Sequence, residues 1–403
     1  MHVDTVSLTL VLATVFFWGV FSVKAGSVLL TAPIVFVLAG YLYANVFDVV
    51  HLEVGAEPVK AVLEIALVWV LFSDASGVDL RRFRADAGLY ARLLGLGFPL
   101  SVALGTVLAA VVLGLDWWPA LFIGAALAPT DAALGAAVMT NPAVPERTRR
   151  TLNVESGLND GLATPVVLVA IAGVAADVGL EHVEGPGRVV VTLVVGVLVG
   201  LASGVLGGLL TRTARRRQWM SGALAGPAVL ALALMTYTLA LVVDGNGFVA
   251  AFVAGLAFGG TAGAAGPDEV AYVEETGGLV AWLAWLLFGV FGLPIVLDGV
   301  EWQQVGYAAL SLTLVRMLPV ALALLGSSFP RSQIVFIGWF GPRGLASVIF
   351  AMLALEELDV VADELLATIA LTVLFSVVLH GASAGLVGRG RDRATAPEVS
   401  PGG

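Results

Sequence analysis

Asp131, Glu155 and Asp160 stand within one 30-residue stretch whose surroundings are apolar enough to lie in lipid. A carboxylate inside a bilayer is expensive unless it has a partner, water or a bound cation. Three at this density exceed what structure alone requires, and they are what a path for cations and protons needs. They sit in two polar interruptions, Ala128-Pro129-Thr130-Asp131 and Asn153-Val154-Glu155-Ser156-Gly157-Leu158-Asn159-Asp160-Gly161.

Helical geometry arranges the second group. At about 100° per residue, with Glu155 at the origin, Asn159 falls near 40°, Ser156 near 100° and Asp160 near 140°. Ser156 and Asp160 are an i, i+4 pair able to share one ion or water. Glu155 and Asp160 diverge and so serve different partners. Arg343, in a second Gly/Pro-broken segment, Gly341-Pro342-Arg343-Gly344, is the expected partner for one of them. Pro129 removes a backbone donor just before Asp131, and at membrane depth such a break survives only on protein or beside a cavity. Glu64 is a fourth acid, near the start of its apolar run, and reads either as a ligand or as an interfacial side chain. Glu274 and Glu275 read as interfacial, and Arg316 as a salt-bridge partner or a snorkelling end residue.

The elements that must position these groups follow from composition. Of 403 residues, 59% are hydrophobic and 12% charged, and the mean hydropathy is +0.98. Soluble domains carry about 25% charged residues, so a polytopic membrane protein is expected. With no cysteine, disulfides, thiolate metal sites and thiol catalysis are excluded. His2, His51, His182 and His380 lie near predicted span ends and share no metal-ligand spacing. A net charge of −10 excludes a nucleic-acid surface. The first residues have no basic run ahead of the apolar stretch, so a cleaved leader is not expected.

Apolar windows of about 20 residues mark membrane spans. Thirteen are predicted, near 6–23, 27–46, 59–76, 89–114, 118–140, 152–175, 189–211, 222–243, 246–261, 271–297, 303–326, 332–354 and 365–387. With the N-terminus outside, 16 of the 20 basic residues fall on the cytoplasmic side, including Arg147, Arg149, Arg150 and the Arg212–Arg217 cluster. Sixteen of the 30 acids fall outside. This positive-inside bias supports both count and orientation, with a cytoplasmic C-terminus in a cell membrane. Residues 1–390 form one membrane domain, and 391–403 read as a short disordered cytoplasmic tail.

The two interrupted spans, the fifth and twelfth, are seven apart and cross in opposite directions. Paired broken helices of this kind mark an inverted repeat with a midplane site. Spans 1–6 and 8–13 would be the halves, with span 7 as linker. Asp131 would then neutralise exposed helix N-terminal ends and Arg343 exposed C-terminal ends.

Together these segments, with Gly245-Asn246-Gly247-Phe248-Val249-Ala250-Ala251-Phe252-Val253-Ala254-Gly255 and the surroundings of Glu64, resemble the motifs of monovalent cation:proton antiporters of the NhaP/NHE type. The resemblance runs over nearly the whole chain, in order. It implies a transporter rather than an enzyme, without cofactor, working as a homodimer. A core of mainly spans 3–6 and 10–13 would move against a dimerisation domain of mainly spans 1–2 and 7–9. It further implies that Asp160 carries ion and proton, and that Ser156, the Thr130 carbonyl and Glu64 complete the cation's coordination. Asn159 would hold the unwound region, Asp131 would compensate helix dipoles and Glu155 would pair with Arg343. The Asn159-Asp160 pair implies electroneutral exchange of sodium or lithium for protons. Regulation through a long cytoplasmic tail like that of larger members is not expected.

Two alternatives compete. A potassium:proton exchanger would use the same oxygen ligands. An intramembrane aspartyl protease would use two aspartates of split acidity, but its Tyr-Asp and Gly-x-Gly-Asp context is missing, since the aspartates follow Thr130 and Asn159.

Overall fold

The computed structural model describes residues 5–27, 30–50, 57–78, 86–132, 134–139, 141–180, 186–263, 266–358 and 363–394, and among these every regular element is helical. In chain order they are α1 (Thr5–Ser27), α2 (Ala32–Val46), α3 (Glu57–Ser76), α4 (Ala87–Leu113), α5a (Trp117–Ala126), α5b (Ala136–Met139) and α6 (Glu146–Asp177). There follow α7 (Pro186–Arg216), α8 (Gly222–Val242), α9 (Gly247–Thr261), α10 (Gly266–Asp298), α11 (Trp302–Ala323), α12a (Arg331–Trp339), α12b (Leu345–Leu358) and α13 (Asp363–Ala394). Each predicted span thus has a helical counterpart. Eight of the described helices are long and apolar enough to cross a bilayer, and α2, α5a and α9 are shorter apolar helices. The chain is a multi-pass membrane protein.

The interruptions expected in the fifth and twelfth spans are present. In the fifth, α5a stops at Ala126, where Pro129 denies the next turn a donor, and α5b is a single turn. The twelfth is likewise split at residues 340–344, before Gly341 and Pro342. The last helix runs beyond 387 to Ala394, so the start of the expected tail is helical; residues 395–403 lie outside the described residues, as do His2, His51 and His182.

π turns interrupt several helices: Leu42–Val46 in α2, Leu93–Gly97 and Ala109–Leu113 in α4, and Ser311–Val315 in α11. Each adds a residue to its turn; those at Leu93–Gly97 and Ser311–Val315 are followed by more helix and rotate its side chains about the axis, while the other two close α2 and α4. The turn in α11 ends directly before Arg316.

Packing separates two groups of helices. α4 packs on α5a, α5a on α6, α11 on α12a and α13, and α12b on α13. Among the remaining helices α7 packs chiefly on α9, α9 on α3, and α10 on α2 and α3. The α7–α9 seam is a glycine ladder at four-residue intervals. A methyl group at Gly196, Gly200 or Gly204 would lie 2.5, 2.4 and 2.4 Å from the carbonyl oxygens of Asn246, Ala250 and Ala254. Absence of side chains lets the two backbones touch, the usual route to tight association in lipid.

Charged side chains tie the first group together at one end. Asp86, ahead of α4, takes Arg147 at 3.1 Å and Arg150 at 3.2 Å from α6. Arg147 also donates to Ser328 at 2.6 Å and covers the Phe329 ring at 4.6 Å. At the other end Lys60 of α3 meets Glu357 of α12b at 3.0 Å, one link between the two groups.

Candidate functional site

The two breaks meet. Asp131 N–H donates to the Pro342 carbonyl at 2.8 Å, so the unwound residues of one segment cross those of the other. A broken helix exposes carbonyls at one end and N–H groups at the other, and two side chains satisfy both. The Arg343 guanidinium, fully buried, donates to the Ala128 carbonyl and, at 3.0 Å, to the Pro129 carbonyl. The Asp131 carboxylate accepts from Leu134 N–H at 3.1 Å and from Leu345 N–H, at the start of α12b, at 2.9 Å. Gly344 leaves room for it, since a methyl there would sit 2.0 Å from Asp131 Oδ2. Gly344→Ala is therefore expected to push Asp131 off the α12b N-terminus and to cost about 1–3 kcal/mol by overpacking. Thermal unfolding in detergent checks this; an unchanged midpoint would show that the carboxylate is not held there.

α6 brings its polar face against this crossing. Thr130 Oγ1 lies 2.8 Å from Ser156 Oγ and accepts from Asn159 Nδ2 at 2.8 Å. Thr130, Ser156, Asn159 and Asp160 are all buried, with Asp160 5% exposed. Asn159 thus spends its amide N–H on the broken segment. Asp160 Oδ1 and Asn159 Oδ1 are buried without a hydrogen-bond partner among the described residues. A carboxylate oxygen left open in lipid, one helical turn from a serine hydroxyl, is suited to taking a proton or a bare monovalent cation.

The charges acting on Asp160 are Asp74 and Asp131. Asp74 sits near the end of α3, and Gly157 lets α6 approach it: a methyl at Gly157 would lie 3.3 Å from the Asp74 carbonyl oxygen. Sequence reasoning passed over Asp74 as part of a span end; its signal was a carboxylate between Ser73 and Ser76 in an otherwise apolar helix. Glu64 is not brought to Asp160. It stands ten residues, about 15 Å, from Asp74 along α3, and it lines a separate cavity of about 300 Å³ with Tyr237, Asp244 and Asn246.

The expected Glu155–Arg343 pair is also not formed. Glu155 is held by Arg316 of α11 in a two-pronged ion pair, at 2.5 and 2.9 Å, with both side chains buried. The π turn before Arg316 aims it inward, and Gly341 makes room, since a methyl there would meet Arg316 Nε at 2.2 Å. Arg343 is instead committed to the α5a carbonyls. His380 of α13, expected near a span end, is buried at 3% exposure against the end of α12a.

This arrangement, two crossed broken helices with an open carboxylate beside them, defines a class of multi-pass membrane protein. The fold matches the sodium proton antiporter MjNhaP1 of Methanocaldococcus jannaschii, solved at pH 8, with a TM-score of 0.75 at 18% identity, covering 94% of this chain and all of that one. Relatives include the K(+)/H(+) antiporter NhaP of Alkalimonas amylolytica, 28% identical over 72% of this chain and 50% of that protein. Another is the Na(+)/H(+) antiporter NhaS2 of a Synechocystis strain, 34% identical over 38% of this chain and 28% of that protein. The chain spans half or less of these relatives' lengths. A profile of the sodium/hydrogen exchanger transmembrane family matches residues 8–389, and the chain belongs to that family.

Proposed function

We propose that this chain exchanges a monovalent cation for a proton across the membrane, with the two competing for Asp160. The observation that carries the reading is the buried, open Asp160 Oδ1 beside the Thr130–Ser156–Asn159 cluster. Oxygens of Ser156 and Thr130 supply further ligands, and Asp74 takes the place Glu64 was expected to fill. Asp131, Asn159, Glu155 and Arg343 organise the site, Glu155 through Arg316. Asp131 has both oxygens engaged by backbone N–H groups, so it is poorly placed to share a proton with Asp160 as a protease pair would.

Transport would proceed by movement of the α4–α6 and α11–α13 bundle against the remaining helices. Packing favours drawing the boundary there, with α3 and α10 on the stationary side rather than in the core. The homodimer, the cell-membrane location, and an outside N-terminus with cytoplasmic C-terminus belong to the same proposal; the orientation rests on the basic-residue bias.

Sodium or lithium is the first reading for the cation. Potassium is the second, favoured by the naming of the Alkalimonas relative as a K(+)/H(+) antiporter. The test is proton movement in proteoliposomes driven separately by sodium, lithium and potassium. No response to any of them sinks the exchange reading.

Asn159 carries no charge, so one proton is displaced per cation and exchange is expected to be electroneutral. With valinomycin and potassium clamping the voltage and sodium as driving ion, the rate should not change with potential. A steep voltage dependence would mean that a second charge crosses, with Asp74 the nearest candidate. Competition at one carboxylate also gives a bell-shaped pH profile: low pH protonates Asp160 and excludes the cation, and high pH starves the proton half-cycle.

A further inference from the structure

We propose that Ser376 and His380 of α13 form one brace that holds both lips of the α12 break and, through Arg343, fixes the Thr130 side of the site. The break leaves two backbone groups in the protein interior without a helical partner: the Arg343 N–H opening α12b, and the Trp339 carbonyl closing α12a, which takes Gly341 N–H at 2.8 Å and keeps a second lone pair open. Unpaired, the Arg343 N–H would carry its full desolvation cost. His380 Nε2 lies 2.9 Å from the Trp339 carbonyl, and Arg343 N–H donates to Ser376 Oγ at 2.6 Å. Both groups on α13 are buried, Ser376 completely.

They are one helical turn apart and touch each other, with His380 Nδ1 3.2 Å from Ser376 Oγ and 2.9 Å from the Ser376 carbonyl oxygen. With the proton on Nε2 the imidazole joins Gly341 N–H as a donor to the Trp339 carbonyl, while Nδ1 faces both the Ser376 hydroxyl and the Ser376 carbonyl oxygen. Arg343 N–H donates to Ser376 Oγ, the serine hydroxyl donates to Nδ1, and Nε2–H donates to Trp339. The Trp339 ring packs on the imidazole at 5.3 Å and its indole N–H donates to Ser383 at 3.1 Å, which fixes the ring's orientation.

The consequence for the site runs through one residue. The backbone of Arg343 is held by the brace, while its guanidinium reaches the Ala128 and Pro129 carbonyls immediately before Thr130. Loosening the backbone of Arg343 lets the cap on the α5a end drift, and Thr130 with it. Ser376 and His380 are therefore positioning residues that never touch the ion.

The experiment compares the full-length protein with Ser376→Ala, His380→Leu and His380→Gln. One readout is amide hydrogen exchange over residues 339–345, which does not depend on transport. The other is the apparent KM for the driving cation in proteoliposomes, which rests on the exchange reading above. Losing one buried hydrogen bond predicts about fivefold faster amide exchange and a comparable rise in KM for Ser376→Ala and His380→Leu. His380→Gln, whose amide can both donate to Trp339 and accept from Ser376, is expected to stay near wild type. Ser376→Ala deletes a single oxygen, so it decides the matter even where His380→Leu fails to fold. Wild-type amide exchange over 339–345 in Ser376→Ala overturns the brace. Faster amide exchange with an unchanged KM overturns its link to the site. A wild-type protein without cation-driven proton movement defeats the exchange reading while the amide-exchange arm still decides the brace.

Discussion

Asp160→Asn is expected to leave the protein folded and to reduce cation-driven proton movement to the level of empty liposomes. The substitution keeps the shape of the side chain in a buried site, and Asp160 Oδ1 makes no hydrogen bond that an amide would forfeit. It also removes a buried charge beside Asp74 and Asp131, so thermal stability should hold or rise. On the proposed exchange reading, what is lost is the group that alternates between proton and cation. Proteoliposomes containing equal amounts of wild type and variant, with matched thermal midpoints, make the comparison. Near-normal exchange by the variant would move the carrier role elsewhere, with Asp74 the first place to look.

Removing one member of the Glu155–Arg316 pair should have the largest effect on stability. Both groups are buried in a two-pronged contact, and stranding either charge costs about 3–5 kcal/mol. Glu155→Gln and Arg316→Met should each lower the unfolding midpoint in detergent sharply. The double variant should recover much of the loss, because neither charge is then stranded. Additive losses in that double-mutant cycle would show that the pair does not act as a unit. The same cycle run with Arg343 in place of Arg316 is expected to be close to additive, since Arg343 spends its guanidinium on the α5a carbonyls.

The existence and order of the helices were legible because hydropathy and loop charge are local properties of the chain. So were the two breaks, since Pro129 and Gly341-Pro342 act on the turn in which they stand. Partner choice was not. Whether Glu155 meets Arg316 or Arg343 depends on how α11 is rotated, and the π turn at Ser311–Val315 shifts that rotation in a way no hydrophobic period announces. Asp74 looked like a span end because α3 closes two residues later. Only the approach of Gly157 on α6 reveals that this end abuts the helix that carries Asp160. Glu64 misled for the converse reason: an acid surrounded by apolar residues in sequence lines a separate cavity with Tyr237, Asp244 and Asn246. His380 read as close to water because its span was expected to end at 387, whereas α13 continues to Ala394.

The glycine ladder between α7 and α9 has a mechanical meaning. Ordinary helix seams work like meshed gears, with side chains that can climb from one notch to the next. Here there are no teeth, since the carbonyls of Asn246, Ala250 and Ala254 rest directly on bare backbone. Contact of that kind has no neighbouring notch to fall into, and a gap of about 1 Å already forfeits up to half of the dispersion attraction. The pair therefore behaves as a welded plank. On the proposed exchange reading, a carrier that rocks needs one part that refuses to rock, and α7 with α9 would serve as its stator.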